Sequence, residues 1–103
     1  MGRFQDCVLC RYKGEIPPKN SGEYQIWPEG VELREYITVD KAEIMPEPKT
    51  DDDEPHAGLV KIVVLETKED KALIVINNRA LGTGVKYLIP KDRIIKILTV
   101  KRT

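Results

Sequence analysis

Residues 59–77 read Leu-Val-Lys-Ile-Val-Val-Leu-Glu-Thr-Lys-Glu-Asp-Lys-Ala-Leu-Ile-Val-Ile-Asn. Two runs dense in Val, Ile and Leu, at 59–67 and 72–77, flank the polar Lys68-Glu69-Asp70-Lys71. β-branched side chains lose χ1 freedom in a helix and pack well on a pleated surface. A short polar break between two such runs predicts a β-hairpin. Both faces of the runs are apolar, so the hairpin is expected at the centre of a sheet, buried on both sides.

Downstream, residues 78–84 read as a loop with two glycines, and 85–89 as a strand ended by Pro90. Lys91-Asp92 turns the chain before residues 93–100. Ile94, Ile95, Ile97 and Leu98 would share one face of a helix, but the β-branched content of 93–100 favours a strand. Upstream, residues 46–57 carry three prolines and five acids, including Asp51-Asp52-Asp53-Glu54, and read as a mobile acidic loop. Nearer the N-terminus, residues 4–13 read as a strand or a turn-bearing segment, and 14–22 as a loop. Residues 23–27 alternate as a short strand, Pro28-Glu29-Gly30 turns, 33–39 returns, and 41–45 adds one more short strand. The sum is six or seven short strands with at most one short helix. That predicts an all-β fold, a small barrel or a sandwich, in which closure would remove the exposed edges.

The chain has 103 residues, which is one domain's worth, so 1–103 is read as a single domain. The 11 Ile and 9 Val outnumber the 8 Leu and 4 Ala, the same lean towards strands seen in the hairpin. The longest apolar runs, Ile62-Val63-Val64-Leu65 and Leu73-Ile74-Val75-Ile76, fall far short of the roughly 20 residues of a membrane helix. The N-terminus shows no apolar signal region, so a soluble, cytoplasmic protein is expected. The chain has 11 Lys and 10 Glu against 2 Gln and 3 Asn. In that profile the whole chain resembles small uncharacterised proteins of hyperthermophilic archaea, a resemblance that implies no activity and assigns no residue a role.

Net charge is zero, with 17 basic and 17 acidic residues, but it is unevenly laid out. Residues 1–46 sum to −2, 47–58 to −4 and 59–103 to +6. A basic C-terminal half suits a polyanionic partner, or complementary packing against another copy. Arg79, Lys86, Tyr87, Lys91, Arg93 and Lys96 are therefore the candidate nucleic-acid contacts, supplying cations and one stacking ring. A pI near 6.6 argues against such a role. Asn77, Asn78, Gly82, Thr83 and Gly84 form a candidate ligand loop, with amide and hydroxyl donors among flexible glycines. No helix follows Gly82-x-Gly84, so it is no phosphate-binding fingerprint.

Cys7-Val8-Leu9-Cys10 allows three readings. Two thiolates at this spacing can hold half of a zinc site from a tight turn, so Cys7 and Cys10 could share zinc between two chains. They could form a redox pair or disulfide, given cations such as Arg11 and Lys13 to lower a thiol pKa. In a regular strand, i and i+3 face opposite sides, and the two are then small buried hydrophobes. The Cys7 to Gly14 stretch resembles the first half of a zinc ribbon, without its glycine after the second Cys and without a second Cys pair.

The one histidine, His56, reads as an exposed loop residue, and with Ser21 the one serine, acyl-transfer chemistry has little to work with. The expected role is a non-enzymatic interaction module, a homo-oligomer or a subunit of an assembly, whose partner is itself or another protein. A nucleic-acid-binding barrel is the alternative, and a metal or redox protein the third.

Overall fold

A computed structural model describes residues 2–18, 21–30, 36–45, 48, 55–78 and 83–100. The protein is all-β. Its strands are β1 (Gly2–Tyr12), β2 (Glu23–Pro28), β3 (Ile37–Asp40), β4 (Ile44–Met45), β5 (His56–Lys61), β6 (Val63–Lys68), β7 (Lys71–Asn78), β8 (Thr83–Pro90) and β9 (Ile95–Val100). In place of a short helix the described residues show the three-residue 3-10 turns Lys41–Glu43 and Lys91–Arg93. Asp40 caps the first, its Oδ1 accepting from the Ala42 N–H at 3.1 Å.

The strands form two antiparallel sheets. The larger runs β3-β2-β1-β5-β4, with β9 also on β1; the smaller runs β6-β7-β8. The arrangement is sandwich-like, so the barrel alternative does not hold: β3, β4 and β9 are edge strands of the larger sheet, and β6 and β8 of the smaller. Those edges are managed without closure. β3 and β4 have four and two residues, β6 is bulged at Leu65, and β8 ends at Pro90.

β1 organises the larger sheet because it is long enough to serve three partners. Residues Gly2 to Cys7 pair with β9 and Cys10 to Tyr12 with β2, end to end along one edge. Cys7 to Tyr12 pair with β5 on the other. Its alternation puts Val8, Cys10 and Tyr12 inward and leaves Leu9 and Arg11 exposed.

The dense run at 59–67 is not one strand. β5 ends in the larger sheet at Lys61 and β6 begins in the smaller one at Val63. The corner is buried Ile62, whose N–H donates to the Asp6 carbonyl at 3.0 Å while its carbonyl accepts from Gln5 Nε2 at 3.2 Å. Both backbone polar groups of Ile62 thus have partners, which is what a buried sheet-to-sheet crossing requires.

The core lies between the sheets. Val8, Cys10, Tyr12, Tyr24, Ile26, Ile37 and Val39 from one side meet Ala72, Ile74, Ile76 and Ile89 from the other. The predicted hairpin is β6-β7, with Glu69 at φ 56° in its two-residue turn. Pro28-Glu29-Gly30 turns as expected, with Gly30 at φ 81°. Residues 95–100 are strand, as β-branching indicated.

Three readings need correction. The expected loop 78–84 gives up both its ends to strand: Asn77 pairs with Gly84 and Asn78 with Thr83, and 79–82 lie outside the described residues. Of the expected acidic loop 46–57, residues 46, 47 and 49–54 lie outside the described residues, and its end is strand, since His56 and Ala57 pair with Tyr12 and Arg11 in β5. The hairpin is not buried on both faces. β7 is central, but β6 is an edge strand and almost wholly exposed.

Candidate interaction surfaces

β7 carries apolar side chains on both faces. Ala72, Ile74 and Ile76 point inward and are buried, while Leu73 and Val75 point outward and are half-buried. Register extends the outer face sideways. Val75 lies between Val63 and Lys86, and Leu73 lies between Glu66 and Leu88. The bulge adds Leu65 on β6. Val63 is 59% exposed, Leu65 47% and Leu88 63%. Five aliphatic side chains therefore share one uncovered sheet face. Such faces on antiparallel sheets are normally polar. Around it stand exposed Glu66, Lys68, Glu69, Asp70, Lys71 and Lys86, three acids and three bases.

Gly84 belongs to this face. A Cβ there would sit 2.5 Å from Val75 Cγ1, so its role is to let Val75 lie flat across β8. Asn77 hydrogen bonds through Nδ2 to Glu43 Oε1 at 3.4 Å, in a cleft of about 130 Å³ shared with Gln5, Lys61, Ile62, Val63 and Val75. Small-molecule sites start near 300 Å³, so the cleft suits a few waters. The predicted ligand loop is thus divided: Asn77 and Gly84 are strand residues with packing or bridging roles. Arg79 and Gly82 lie outside the described residues, as do the side chains of Asn78 and Thr83.

The structure does not gather the predicted nucleic-acid residues on one face. Lys86 points outward from the smaller sheet, while Tyr87, one residue on, packs against the core. Lys96 lies on β9 of the larger sheet, 3.7 Å from Asp6 Oδ1. Arg93, in the turn between them, is 3.5 Å from Glu29 Oε2, and Lys91 is exposed beside it.

The larger sheet's outer face carries a different chemistry, which the reading of the sequence did not assemble. Arg11 on β1 stands opposite Trp27 on β2. The Trp27 ring meets Tyr36 edge-on, with centroids 6.1 Å apart and planes at 67°. Trp27 is 38% exposed and Tyr36 47%. Beside this row run Leu9, Leu59 and Met45, which are register neighbours across β1, β5 and β4. The alternation of residues 23–27 was a signal that Trp27 faces outward; Tyr36 is its neighbour only through the β2–β3 register.

Cys7 and Cys10 are both free and both buried. Cys10 belongs to the inter-sheet core cluster with Val8 and Tyr12, while Cys7 does not. The two thiols fit opposite faces of one strand. Burial pushes the Cys10 thiol up to about 12, with Cys7 adding to it. The Cys7 thiol is also raised, by burial and by Asp6, against the pull of Lys61. A reactive pair needs depressed thiols with access, and these have neither. Neither sulfur reaches the surface, where a second chain's ligands would meet it. Among the described residues no three His, Cys, Asp or Glu side chains are grouped to hold a metal ion.

His56 is half-buried in β5, not in an exposed loop, and its ring lies 5.6 Å from Tyr12. Tyr12 in turn meets Tyr24 edge-on at 6.0 Å. A wider depression at Asp70, Pro90, Lys91 and Asp92 brings two carboxylates and a cation together. Among the described residues no helix is long and apolar enough to cross a membrane. No protein-family model, curated protein or solved structure matches the chain.

Proposed function

We propose that the protein is a non-enzymatic interaction module that pairs with a second copy of itself through the outer face of β6-β7-β8. One observation carries this reading: β7 has a sequence fit for burial on both faces, and the fold covers one. A dry partner surface would remove Val63, Leu65, Leu73, Val75 and Leu88 from water together.

The rim favours a second copy. Its three acids and three bases balance, so a two-fold arrangement can set Glu66, Glu69 and Asp70 against Lys68, Lys71 and Lys86. A partner of one charge sign gains nothing from such a rim. Size sets the strength. Three strands of six to eight residues present about 400 Å² in projection. Two such faces bury on the order of 1,000 Å², the lower end for specific complexes. The dimer is therefore expected to be weak, with a Kd of about 1–100 μM.

Sedimentation velocity across about 5–500 μM tests this. Wild-type protein is expected to shift from monomer to dimer, and Leu88→Lys to stay monomeric with an unchanged thermal transition at low concentration. A wild-type monomer throughout, or a dimer indifferent to Leu88→Lys, would reject the reading.

A further inference from the structure

We infer that the outer face of the larger sheet, at Arg11, Lys13, Trp27 and Tyr36, binds single-stranded nucleic acid by stacking bases on the two rings. The inference concerns a different face from the self-association surface and stands or falls separately.

Two exposed rings in contact on a flat sheet are costly to leave in water without a use. Every base has a π-face, so rings presented in this way accept bases with little regard to sequence. The neighbouring strand supplies cations in the right place. Arg11 stands one strand spacing from Trp27, about 4.8 Å, and exposed Lys13 lies just past the end of β1 at Tyr12. Arg11 continues the row of Trp27 and Tyr36 across the sheet, so a single strand with bases over the two rings meets Arg11 at the β1 end of that row, with Lys13 beside it for the next phosphate. The carboxylate of Glu29, two residues after Trp27, is held by Arg93 and so opposes a polyanion less. Leu9, exposed on the other side of Arg11, adds apolar contact area.

The aliphatic face cannot do this, because it has no ring to stack on. A proline-rich peptide could also lie on exposed aromatics. The paired cations favour the polyanion.

Zero net charge limits long-range attraction. With two phosphate contacts on a single strand, log K should fall with log salt by only about 1.4. Binding is therefore expected to depend mainly on stacking, at about 1–100 μM.

Trp27 is the one tryptophan, so intrinsic fluorescence reports the site directly. The test titrates the protein with a (dT)12 oligonucleotide at several salt concentrations, and in parallel with a (Pro)10 peptide. Saturable quenching by (dT)12 is expected. Tyr36→Ala should weaken it by about 5- to 150-fold. Arg11→Gln should reduce the salt slope from about 1.4 to about 0.7. Lys91→Gln, beside Asp70 at the end of the smaller sheet, should change nothing. Both ring and cation variants alter exposed side chains, and an unchanged thermal transition verifies that they fold. The absence of quenching by (dT)12 overturns the inference, and a response to (Pro)10 alone reassigns the face to a peptide. Binding that is steep in salt, lost in Lys91→Gln and indifferent to Tyr36→Ala overturns it too.

Discussion

β1 and β7 are both central strands with buried inner faces, yet their outer faces differ. β7 shows Leu73 and Val75 flanked by Val63, Leu65 and Leu88. β1 shows Leu9 and Arg11 flanked by Trp27 and Leu59. An aliphatic face gains only by drying, and drying needs a partner of matching shape. A face of rings and cations can hold a wet, charged ligand. The same small sandwich thus presents two outer surfaces of different chemistry, and the difference lies wholly in outward-pointing residues.

The comparison breaks first along β7 itself. Ile74 is fully buried in the core, while its neighbour Leu73 faces out and is half-buried. Ile74→Ala should cost about 3 kcal/mol and lower Tm by roughly 15 °C. Leu73→Ala should cost under about 1 kcal/mol in the monomer. Its larger effect should appear as lost concentration dependence of the thermal transition, because a dimer is stabilised by mass action. Equal costs at both positions in dilute protein would mean that the outer face is already covered within one chain.

β1 offers a second contrast, between its buried thiols and its exposed cation. Cys10 keeps its proton up to about 12 in the folded chain against an ordinary 9.0. Its contribution to stability is therefore complete below pH 9 and is lost as pH rises towards 12. In that window the unfolded chain has released the proton and the folded chain has not, so unfolding becomes easier by about 1.4 kcal/mol per pH unit for this thiol. Cys7, raised in the same direction, adds to the loss. Urea midpoints at pH 8, 10 and 11 measure it. Cys10→Ala should flatten that part of the profile and cost about 1 kcal/mol at pH 7, since it removes one buried sulfur. A thiol reagent should label neither cysteine quickly in the native protein. Fast labelling at neutral pH would place the pair at a functional surface after all.

Much of the fold was legible from local chemistry. Residues 72–77 and 85–89, the Lys68 to Lys71 break, the Pro28-Glu29-Gly30 turn and the strand at the C-terminal end all followed from β-branching and turn residues. The corner at Ile62 was hidden because nothing punctuates it. It is a β-branched residue inside an apolar run, and only the bonds to Gln5 and Asp6, 57 and 56 residues away, identify it. The uncovered face of β7 was misread for a related reason. A run apolar on both faces states a need for cover but does not say whether the same chain supplies it. The ring pair was missed because Trp27 and Tyr36 are neighbours by register across the β2–β3 connection, not by spacing. The basic residues of 59–103 looked like one patch because they are close in sequence, and the crossing from β8 to β9 takes them to different sheets.

The smallest effect sharpens the view of the aliphatic face from its tip. Glu69 holds φ 56° in the turn joining β6 to β7, a left-handed conformation that costs a residue with a Cβ about 1–2 kcal/mol. Two-residue hairpins favour Gly, Asn or Asp at such positions because the turn must match the twist of the strands. Glu69→Gly relieves that cost but gives the unfolded chain more freedom, by about 0.4–1 kcal/mol. The net gain is expected near 0.5 kcal/mol, or roughly 3 °C in Tm. The substitution also removes one of the three rim acids. If rim charges pair across a two-fold axis, the monomer should become more stable while the dimer becomes slightly weaker. A stabilised monomer with an unchanged dimer constant would leave the aliphatic side chains as the whole of the interface and place the rim outside it.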